Sequence, residues 1–381
     1  MENILVFIGI DVHKDTHAYC TFYPSTGEYL YEYTSIASTK DTLSYINKVK
    51  KGIKKETNKE CKVVCGYEAG PTGIKLKRDL MKKGIDCRVM APTTILSPKA
   101  GKRVKTDRKD AQDLSEALCK DNYKEIEILD EESEAVRDFL RMRSDFKNAL
   151  KVKKQQLKSF LLGKGIRYPG RGNTWTIAYI KWIKALEFEH PLAKETCEFY
   201  MSEVSRLIQK IEELDKRIEE LAQGDKFKEP VSKLRCFAGI DTMVALSVVS
   251  EIGDFSRFAS AKHFASYVGL CPGQHSSGLK LQMTGITKAG NSRVRTLLTE
   301  SANSMARTYT NVKSKRLKSR QSGISEDVID YADRGNKRIR YKMNKLKRSG
   351  KSHNVAKTAA ARELSCFIWG MMTNNIYGEI A

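Results

Sequence analysis

Residues 4–11 read ILVFIGID, an apolar run of strand-forming residues that ends at the carboxylate of Asp11. A short polar turn follows it, and the segments at residues 18–23 and 29–33 predict two further strands. A Pro-Ser-Thr-Gly turn separates these two segments. Because both connections are short, the three strands are predicted to form an antiparallel meander.

Beyond the meander, helical and extended patterns alternate along the chain. Residues 41–51 and 73–83 are predicted to be helices, and the apolar runs at 63–67 and 87–90 are predicted to be strands. Three meander strands followed by alternating helix and strand are typical of an RNase H-like, or RuvC-like, sheet. We therefore predict an α/β domain of this class over residues 1–125.

A helical segment is predicted over residues 126–230, where charge rises and β-branched runs disappear. One long helix covers residues 131–162 and ends at a Gly-Lys-Gly sequence. A second helix carries apolar residues at alternating spacings of three and four, a heptad pattern typical of a coiled coil. The residues of this seam are Val204, Leu207, Ile211, Leu214, Ile218 and Leu221. The spacing alone leaves open whether the seam packs inside the protomer or mediates self-association.

Residues 231–381 are predicted to form a mainly α C-terminal domain. Two apolar segments around residues 239–241 (Gly-Ile-Asp) resemble a helix-hairpin-helix, whose turn offers amides to phosphates, although a hairpin used only for packing fits equally well. A Gly-, Ser- and Pro-rich loop is predicted at residues 269–278, and a closing apolar helix at 356–372. The Lys- and Arg-rich residues 313–351 predict a solvated face or a mobile arm, and the charge of the whole chain favours contact with a nucleic-acid backbone.

The overall charge of the chain points to a polyanionic partner. Its 381 residues hold 68 Lys and Arg against 46 Asp and Glu, a net charge of +22. Nucleic acid is the expected partner of a protein this basic. The nine cysteines form no C-x-x-C pair, which argues against a zinc site and fits a reducing cytoplasm. With no signal-peptide pattern and no apolar run of membrane-spanning length, we expect a cytoplasmic protein that works without a membrane.

Four carboxylates lie where the predicted elements would bring them together. Asp11 and Glu68 each follow an apolar strand, and Asp107 and Asp110 are three residues apart on one predicted helix face. Hard divalent cations such as Mg²⁺ or Mn²⁺ prefer carboxylate oxygens, and two such ions about 3.5–4 Å apart activate a nucleophile and stabilise a leaving oxygen in phosphodiester chemistry. The nearby cations expected to attract a phosphate backbone are Lys102, Arg103, Lys105, Arg108 and Lys109.

Two of these acids, Asp107 and Asp110, also have a purely structural explanation. Asp107 suits the first turn of a helix capped by Thr106, and Asp110 can pair with a neighbouring Lys or Arg on the surface. Asp15 is a further candidate for the role assigned to Asp11. From spacing alone, a metal site and a set of unrelated surface acids remain open alternatives.

Several segments together carry a family resemblance. In the first half they are GIDVHK at residues 9–14, YEAGPTG at 67–73 and KTDRKDA at 105–111. In the second half they are FASYVGLCP at 264–272, SSG at 276–278, ITKAGN at 286–291 and the closing helix from residue 353. In this order they resemble the DEDD transposases of bacterial insertion elements, also called bridge recombinases, which have the pilin-gene invertases as relatives. The resemblance spans almost the whole chain, and the middle helices are its least specific part.

The resemblance implies a RuvC-like N-terminal domain, a coiled-coil segment and a C-terminal transposase domain with a catalytic serine loop. The four acids then match the metal-binding residues of the family. Ser277 matches its catalytic serine, with Ser276 as the runner-up. A serine hydroxyl that attacks a DNA phosphate would form a phosphoserine link and conserve bond energy for rejoining. Asp241 departs from the family, which usually has Gly there, and this puts phosphate binding by that turn in doubt.

The resemblance also implies partners and a reaction. These are donor and target DNA, an element-encoded guide (bridge) RNA that pairs with both, and a homo-oligomer, a dimer or tetramer, at the bacterial nucleoid. In that assembly the serine domain of one subunit meets the acidic domain of another. The chain is therefore expected to be an RNA-guided DNA transposase and recombinase. One alternative is a RuvC-like, structure-specific nuclease that uses the acids and water, and a second is a non-catalytic nucleic-acid-binding protein.

Overall fold

The computed structural model describes residues 4–95, 106–170, 174–277, 280–308 and 312–377. Its chain divides into two compact units, Met1–Ile128 and Leu129–Ala381. The first unit is built on a mixed β-sheet with helices, and the second is mainly helical, as the sequence predicts. None of the helices within these ranges is both long enough and apolar enough to cross a membrane.

A five-stranded sheet forms the centre of the first unit. Its strands are β1 Ile4–Val12, β2 Thr16–Tyr23, β3 Glu28–Ile36, β4 Cys61–Glu68 and β5 Asp86–Met90. The order across the sheet is β3-β2-β1-β4-β5, with the first three strands antiparallel and β1, β4 and β5 parallel. This mixed topology confirms the predicted meander and the alternation after it, and it is consistent with an RNase H-like domain.

Three helices cover the two faces of this sheet. They are α1 Thr39–Thr57, α2 Ile74–Lys82 and α3 Asp107–Cys119. Val6, Ile8 and Ile10 of β1 belong to a core shared with buried residues of α1 and α2. Phe7 packs with buried residues of α3 instead. Since side chains alternate along a strand, the odd-numbered residues of β1 face α3.

The second unit contains ten helices and one β-hairpin among its described residues. The helices are α4 Glu131–Gly163, α5 Ile177–Lys184, α6 Pro191–Leu221, α7 Asp225–Arg235, α8 Thr242–Ile252, α9 Ala261–Tyr267, α10 Ser292–Thr308, α11 Lys315–Gln321, α12 Glu326–Arg348 and α13 His353–Met372. The hairpin joins β6 Pro272–Ser277 and β7 Lys280–Ile286 as antiparallel strands.

Helix α4 agrees with its predicted range to within one residue. Asp130 caps its first turn by accepting a hydrogen bond from the Ser133 amide at 3.0 Å. Helix α6 packs against α4, and four of the six seam residues, including Leu207 and Leu214, are buried. Of the two alternatives for the seam, packing inside the protomer is therefore the one observed.

The loop predicted at residues 269–278 is wrong over Pro272–Ser277, which form β6 instead. Gln274 lies opposite Met283 and Ser277 opposite Lys280 in the hairpin. A two-stranded ladder is held by backbone hydrogen bonds, so strands with Gly, Ser and Pro can form it without an apolar pattern. Gly278, the last residue of the predicted loop, lies outside the described ranges.

The Lys- and Arg-rich segment is not a mobile arm, because its residues form α11 and α12. Helix α12 buries an apolar face that includes Val328, Tyr331, Ile339 and Met343. The apolar positions recur at helical spacing, and the charged residues between them occupy the other face. The prediction of a solvated cationic face is therefore the one that agrees with the fold.

The turn between α7 and α8 serves packing. A Cβ on Gly239 would overlap the Ser301 carbonyl oxygen of α10, so only glycine allows this close approach. Asp241 caps α8 by accepting from the Val244 amide at 2.9 Å. Its carboxylate occupies the helix terminus where a phosphate would otherwise bind, which favours the packing alternative for this turn.

Candidate metal centre

Asp11 of β1 and Asp107 of α3 are brought together by the close packing of α3 on β1. A Cβ placed on Gly9 would overlap the carbonyl oxygen of Ala111 and lie 2.5 Å from the Ser115 amide nitrogen. Gly66, which pairs with Gly9 in β4, leaves similar room for the side chain of Leu118. The backbone of α3 therefore rests directly on the two parallel strands.

Asp11 and Glu68 are equivalent positions on these two strands. Each lies two residues beyond its glycine, Gly9 or Gly66, and those glycines are opposite each other in the parallel register. Because residues two apart share a face of a sheet, both carboxylates are on the α3 side, at the carboxyl ends of β1 and β4. Asp11 is partly buried and Glu68 is exposed.

His13 joins one acid of β1 to one acid of α3. Its Nε2 atom lies 3.1 Å from Oδ2 of Asp11 and 3.7 Å from Oδ1 of Asp107. One potential ligand atom from each of these three residues lies within 4.8 Å of the other two. Such an arrangement can hold a divalent cation. Glu68 and Asp110 are not in this three-residue cluster, nor is Asp15, so the described geometry joins only two of the four predicted acids.

His13 was not among the residues selected from the sequence. Its only signal was its place two residues after Asp11 in the GIDVHK segment. Imidazole is a better ligand for softer transition metals than for Mg²⁺, whereas carboxylates suit both Mg²⁺ and Mn²⁺. The two carboxylates of the cluster therefore suit Mn²⁺ as well as Mg²⁺, and His13 contacts both of them.

Burial and charge together shape the electrostatics of Asp11. Burial raises the pKa of its carboxyl group above the ordinary value, and the nearby carboxylates of Asp107 and Asp110 raise it further. His13 lowers the pKa of Asp11 through its electrostatic interaction and its hydrogen bond, but the net direction of the pKa is upward. A cation bound beside these acids would relieve the repulsion between them.

The structural explanations of the α3 residues are also observed. Thr106 caps the helix by accepting from the Lys109 amide at 3.3 Å, and Asp107 stands in the first turn, where a negative charge is favourable. Arg108 forms an ion pair with Glu32 of β3, so it anchors α3 to the sheet. The cations at residues 102, 103 and 105 lie outside the described ranges.

Ser277 belongs to the second unit, where it is the last residue of β6. Ser276, the runner-up, lies opposite Leu281 in the same hairpin. The base of the hairpin is held firmly, because Gly269 and Gly290 both have positive φ and a Cβ on either would overlap backbone carbonyl atoms. Arg295 ties the two flanking segments together by donating to the carbonyls of Val268 and Ala289 at 2.9 and 3.3 Å.

A buried carboxylate supports the start of α10, next to the hairpin in sequence. Glu251 accepts two hydrogen bonds from Arg141, at 2.8 and 2.9 Å, and a third from Asn291 at 2.9 Å. The side-chain Oδ1 atom of Asn291 accepts from the Val294 amide at 3.0 Å and so caps α10. Asn291, the last residue of the ITKAGN segment, thus has a structural role.

Two family models match this chain. Residues 8–165 match a DEDD transposase model of the IS110 type, and residues 231–318 match the model described as the transposase IS116/IS110/IS902 family. The first match contains all four acids, and the second contains Ser276 and Ser277.

Curated relatives agree with the family models. A putative transposase, y4qE, from Sinorhizobium fredii is 35% identical over 85% of this chain and 78% of its own length. The transposase for insertion sequence element IS1533 from Leptospira borgpetersenii is 30% identical over 90% of this chain and 96% of its own. The pilin gene-inverting protein of Moraxella bovis is 34% identical over 23% of this chain and 28% of its own.

Proposed function

This chain belongs to the IS116/IS110/IS902 family of transposases, and from that membership we propose that it cuts and rejoins DNA through a phosphoserine intermediate. The proposal assigns three parts to the chain. Residues 1–125 form a RuvC-like DEDD domain, residues 126–230 a coiled-coil segment, and residues 231–381 a transposase domain that carries the serine. The observation that carries it is the meeting of Asp11, at the carboxyl end of β1, with Asp107, in the first turn of α3.

The acids Asp11, Glu68, Asp107 and Asp110 are proposed to hold Mg²⁺ or Mn²⁺. Their placement on one side of the sheet, together with the ligand-atom cluster around His13, supports this role. A divalent cation bound there would supply positive charge to the reacting phosphate. His13 would orient the Asp11 carboxylate through its hydrogen bond, as groups around metal ligands commonly do.

Ser277 is proposed to be the nucleophile. Its hydroxyl oxygen forms a bond to the phosphorus, the bond from phosphorus to one DNA oxygen breaks, and that oxygen leaves with a proton. A DNA hydroxyl then attacks the phosphoserine and releases Ser277, which rejoins the strand without an external energy source. The firm base of the hairpin would limit the positions open to this serine.

Partners follow from the same proposal. A guide RNA encoded by the element would pair with donor and target DNA, so the sequence recognised would be written in the RNA and not in the protein. The net charge of +22 suits a protein that binds both nucleic acids. The active form would be a homo-oligomer, a dimer or a tetramer, in which the acids of one subunit act with the serine of another.

The test is a search for a covalent protein–DNA adduct. Protein, guide RNA and cognate DNA are incubated with Mg²⁺, and products are separated under denaturing conditions. We expect an adduct from the unmodified protein and from Ser276→Ala, and none from Ser277→Ala. Recombination by Ser277→Ala without an adduct would refute the proposal. Cleaved DNA with free ends and no adduct would support the nuclease alternative.

A further inference from the structure

Helix α4 carries a cationic face in its second half. Lys147, Lys151, Lys154 and Lys158 recur at spacings of four, three and four, which places them on one side of the helix. At a rise of 1.5 Å per residue, the row spans about 16 Å. Leu157 and Leu161 of the same helix are buried, so the apolar and cationic residues are on different faces.

Two clefts meet along this row. One, with a volume of about 450 Å³, is lined by the four lysines and Trp175. The other, of about 360 Å³, lies between α4, α8 and the start of α10, where Arg293 and several hydroxyl groups line it. Lys147 and Asn148 line both clefts, so they form one continuous depression, the α4 groove.

The α4 groove holds an excess of uncompensated positive charge. Among its described lining residues, Glu251 is the only acid, and Arg141 already pairs with it. The four lysines and Arg293 have no ion-pair partner within the described part of the chain. In the basic helix α12, by comparison, Arg338 and Lys342 both pair with Glu363.

We infer that the α4 groove binds the phosphate backbone of duplex DNA. Lysines and hydroxyls are donors that contact phosphates without reading bases. Trp175 is engaged by Lys154, 4.8 Å from its ring centre, and by Tyr179, so it is a poor platform for stacking the bases of a single strand. A straight row of about 16 Å matches about five base pairs of a duplex.

The inference rests on the action of this family on DNA and not on the phosphoserine chemistry. Its test is therefore binding without Mg²⁺, measured with full-length protein and a short duplex DNA of random sequence. The variant combines Lys147→Gln, Lys151→Gln and Lys158→Gln, all at exposed positions. The control combines Lys181→Gln, Lys184→Gln and Lys194→Gln, which are also exposed and remove the same charge. Lys154 is kept because it packs on Trp175.

The salt dependence of affinity gives the quantitative readout. Each phosphate contact on a duplex contributes about 0.9 to the magnitude of the slope of log affinity against log salt concentration. The three substitutions of the groove variant should therefore reduce the magnitude of this slope by about 2.7. The variant should also bind at least about tenfold more weakly at moderate salt. The control should change far less, and Arg293→Gln should lower the slope by about 0.9.

Two results would overturn the inference. One is equal slopes and affinities for the groove variant and the control. The other is a loss confined to an RNA duplex of the same length, with DNA binding unchanged. Thermal unfolding of both variants should match that of the unmodified protein, because the substituted side chains are exposed.

Discussion

Gly9 sets, by lacking a side chain, how closely α3 approaches β1. Any Cβ there would overlap the Ala111 carbonyl oxygen, and the helix would have to move away from the strand. The separation matters for the acids because Asp11 is on β1 and Asp107 is on α3. The apolar run that forms the strand and the glycine within it therefore both contribute to the candidate metal centre.

His13 is expected to contribute to metal affinity through its contact with Asp11. Residues that orient a metal ligand typically change affinity about 10- to 100-fold when they are removed. We therefore expect His13→Ala to weaken Mn²⁺ binding by such a factor, measured by calorimetry or by electron paramagnetic resonance of the free ion. Because His13 is exposed, the thermal stability should change little. His353→Ala, at the exposed start of α13, is the control, and equal affinities for the two variants would contradict the prediction.

The four acids could be selected from the sequence because Asp11 and Glu68 each follow an apolar strand pattern, and Asp107 and Asp110 have the spacing of one helix face. Thr106 could also be selected as a cap, and the structure confirms it. The contact of His13 with Asp107 could not be predicted, because it depends on how closely α3 packs on β1. The metal-binding and nucleophilic roles of the selected residues stay predictions.

Helices were predictable where the chain marks their ends. Asp130 caps the start of α4 and Gly163 is its last residue, and both are residue types that favour helix ends. The β6–β7 hairpin was not predictable, because its pairing uses backbone groups that every sequence has. The same reasoning explains why Glu251 escaped attention, since its role depends on Arg141 and Asn291, which are distant in sequence.

Glu251 is expected to stabilise the helices it joins in a pH-dependent way. Burial raises the pKa of Glu251, but hydrogen bonds from Arg141 and Asn291 outweigh burial, and the net pKa lies below its ordinary value of 4.5. A carboxyl group whose pKa is lowered on folding stabilises the folded state at pH values above its ordinary pKa. This stabilisation is lost as the pH falls through the folded-state pKa. Glu251→Gln should therefore lower the free energy of unfolding by about 2 kcal/mol at pH 7, as expected for hydrogen bonds to charged groups.

Urea unfolding at several pH values checks this prediction. The difference between Glu251→Gln and the unmodified protein should begin to shrink below about pH 4.5, where the carboxyl group of the unfolded chain takes up a proton. Glu203→Gln removes an exposed ion pair with Arg206 and should change stability little at any pH. If the difference in unfolding free energy between Glu251→Gln and the unmodified protein does not change with pH, the negative charge of Glu251 does not contribute to stability and the prediction is wrong.

For the whole molecule, the antiparallel meander and the alternation of helix and strand after it could be predicted, because short turns and alternating periods restrict the topology to few choices. The charge of +22 pointed to nucleic acid for a similarly general reason. The α4 groove required the structure, because it combines lysines of α4 with Arg293, more than a hundred residues further along the chain. A cation such as Arg338, which already pairs with a carboxylate of the same chain, is less available to a phosphate than a cation without such a partner. The structure is needed to tell these two kinds of surface cation apart.

The proposed assembly makes a prediction about mixed oligomers. If the acids of one subunit act with Ser277 of another, an oligomer of Ser277→Ala and Asp11→Asn subunits contains some complete sites, although neither variant alone does. The Asp11→Asn subunit then supplies the serine and the Ser277→Ala subunit supplies the acids. We expect the mixture to form a phosphoserine adduct with DNA, and we expect the Asp11→Asn subunit to carry it. A size tag on one variant identifies that subunit on a denaturing gel. If the mixture forms no adduct while the unmodified protein does, the acids and the serine act within one subunit.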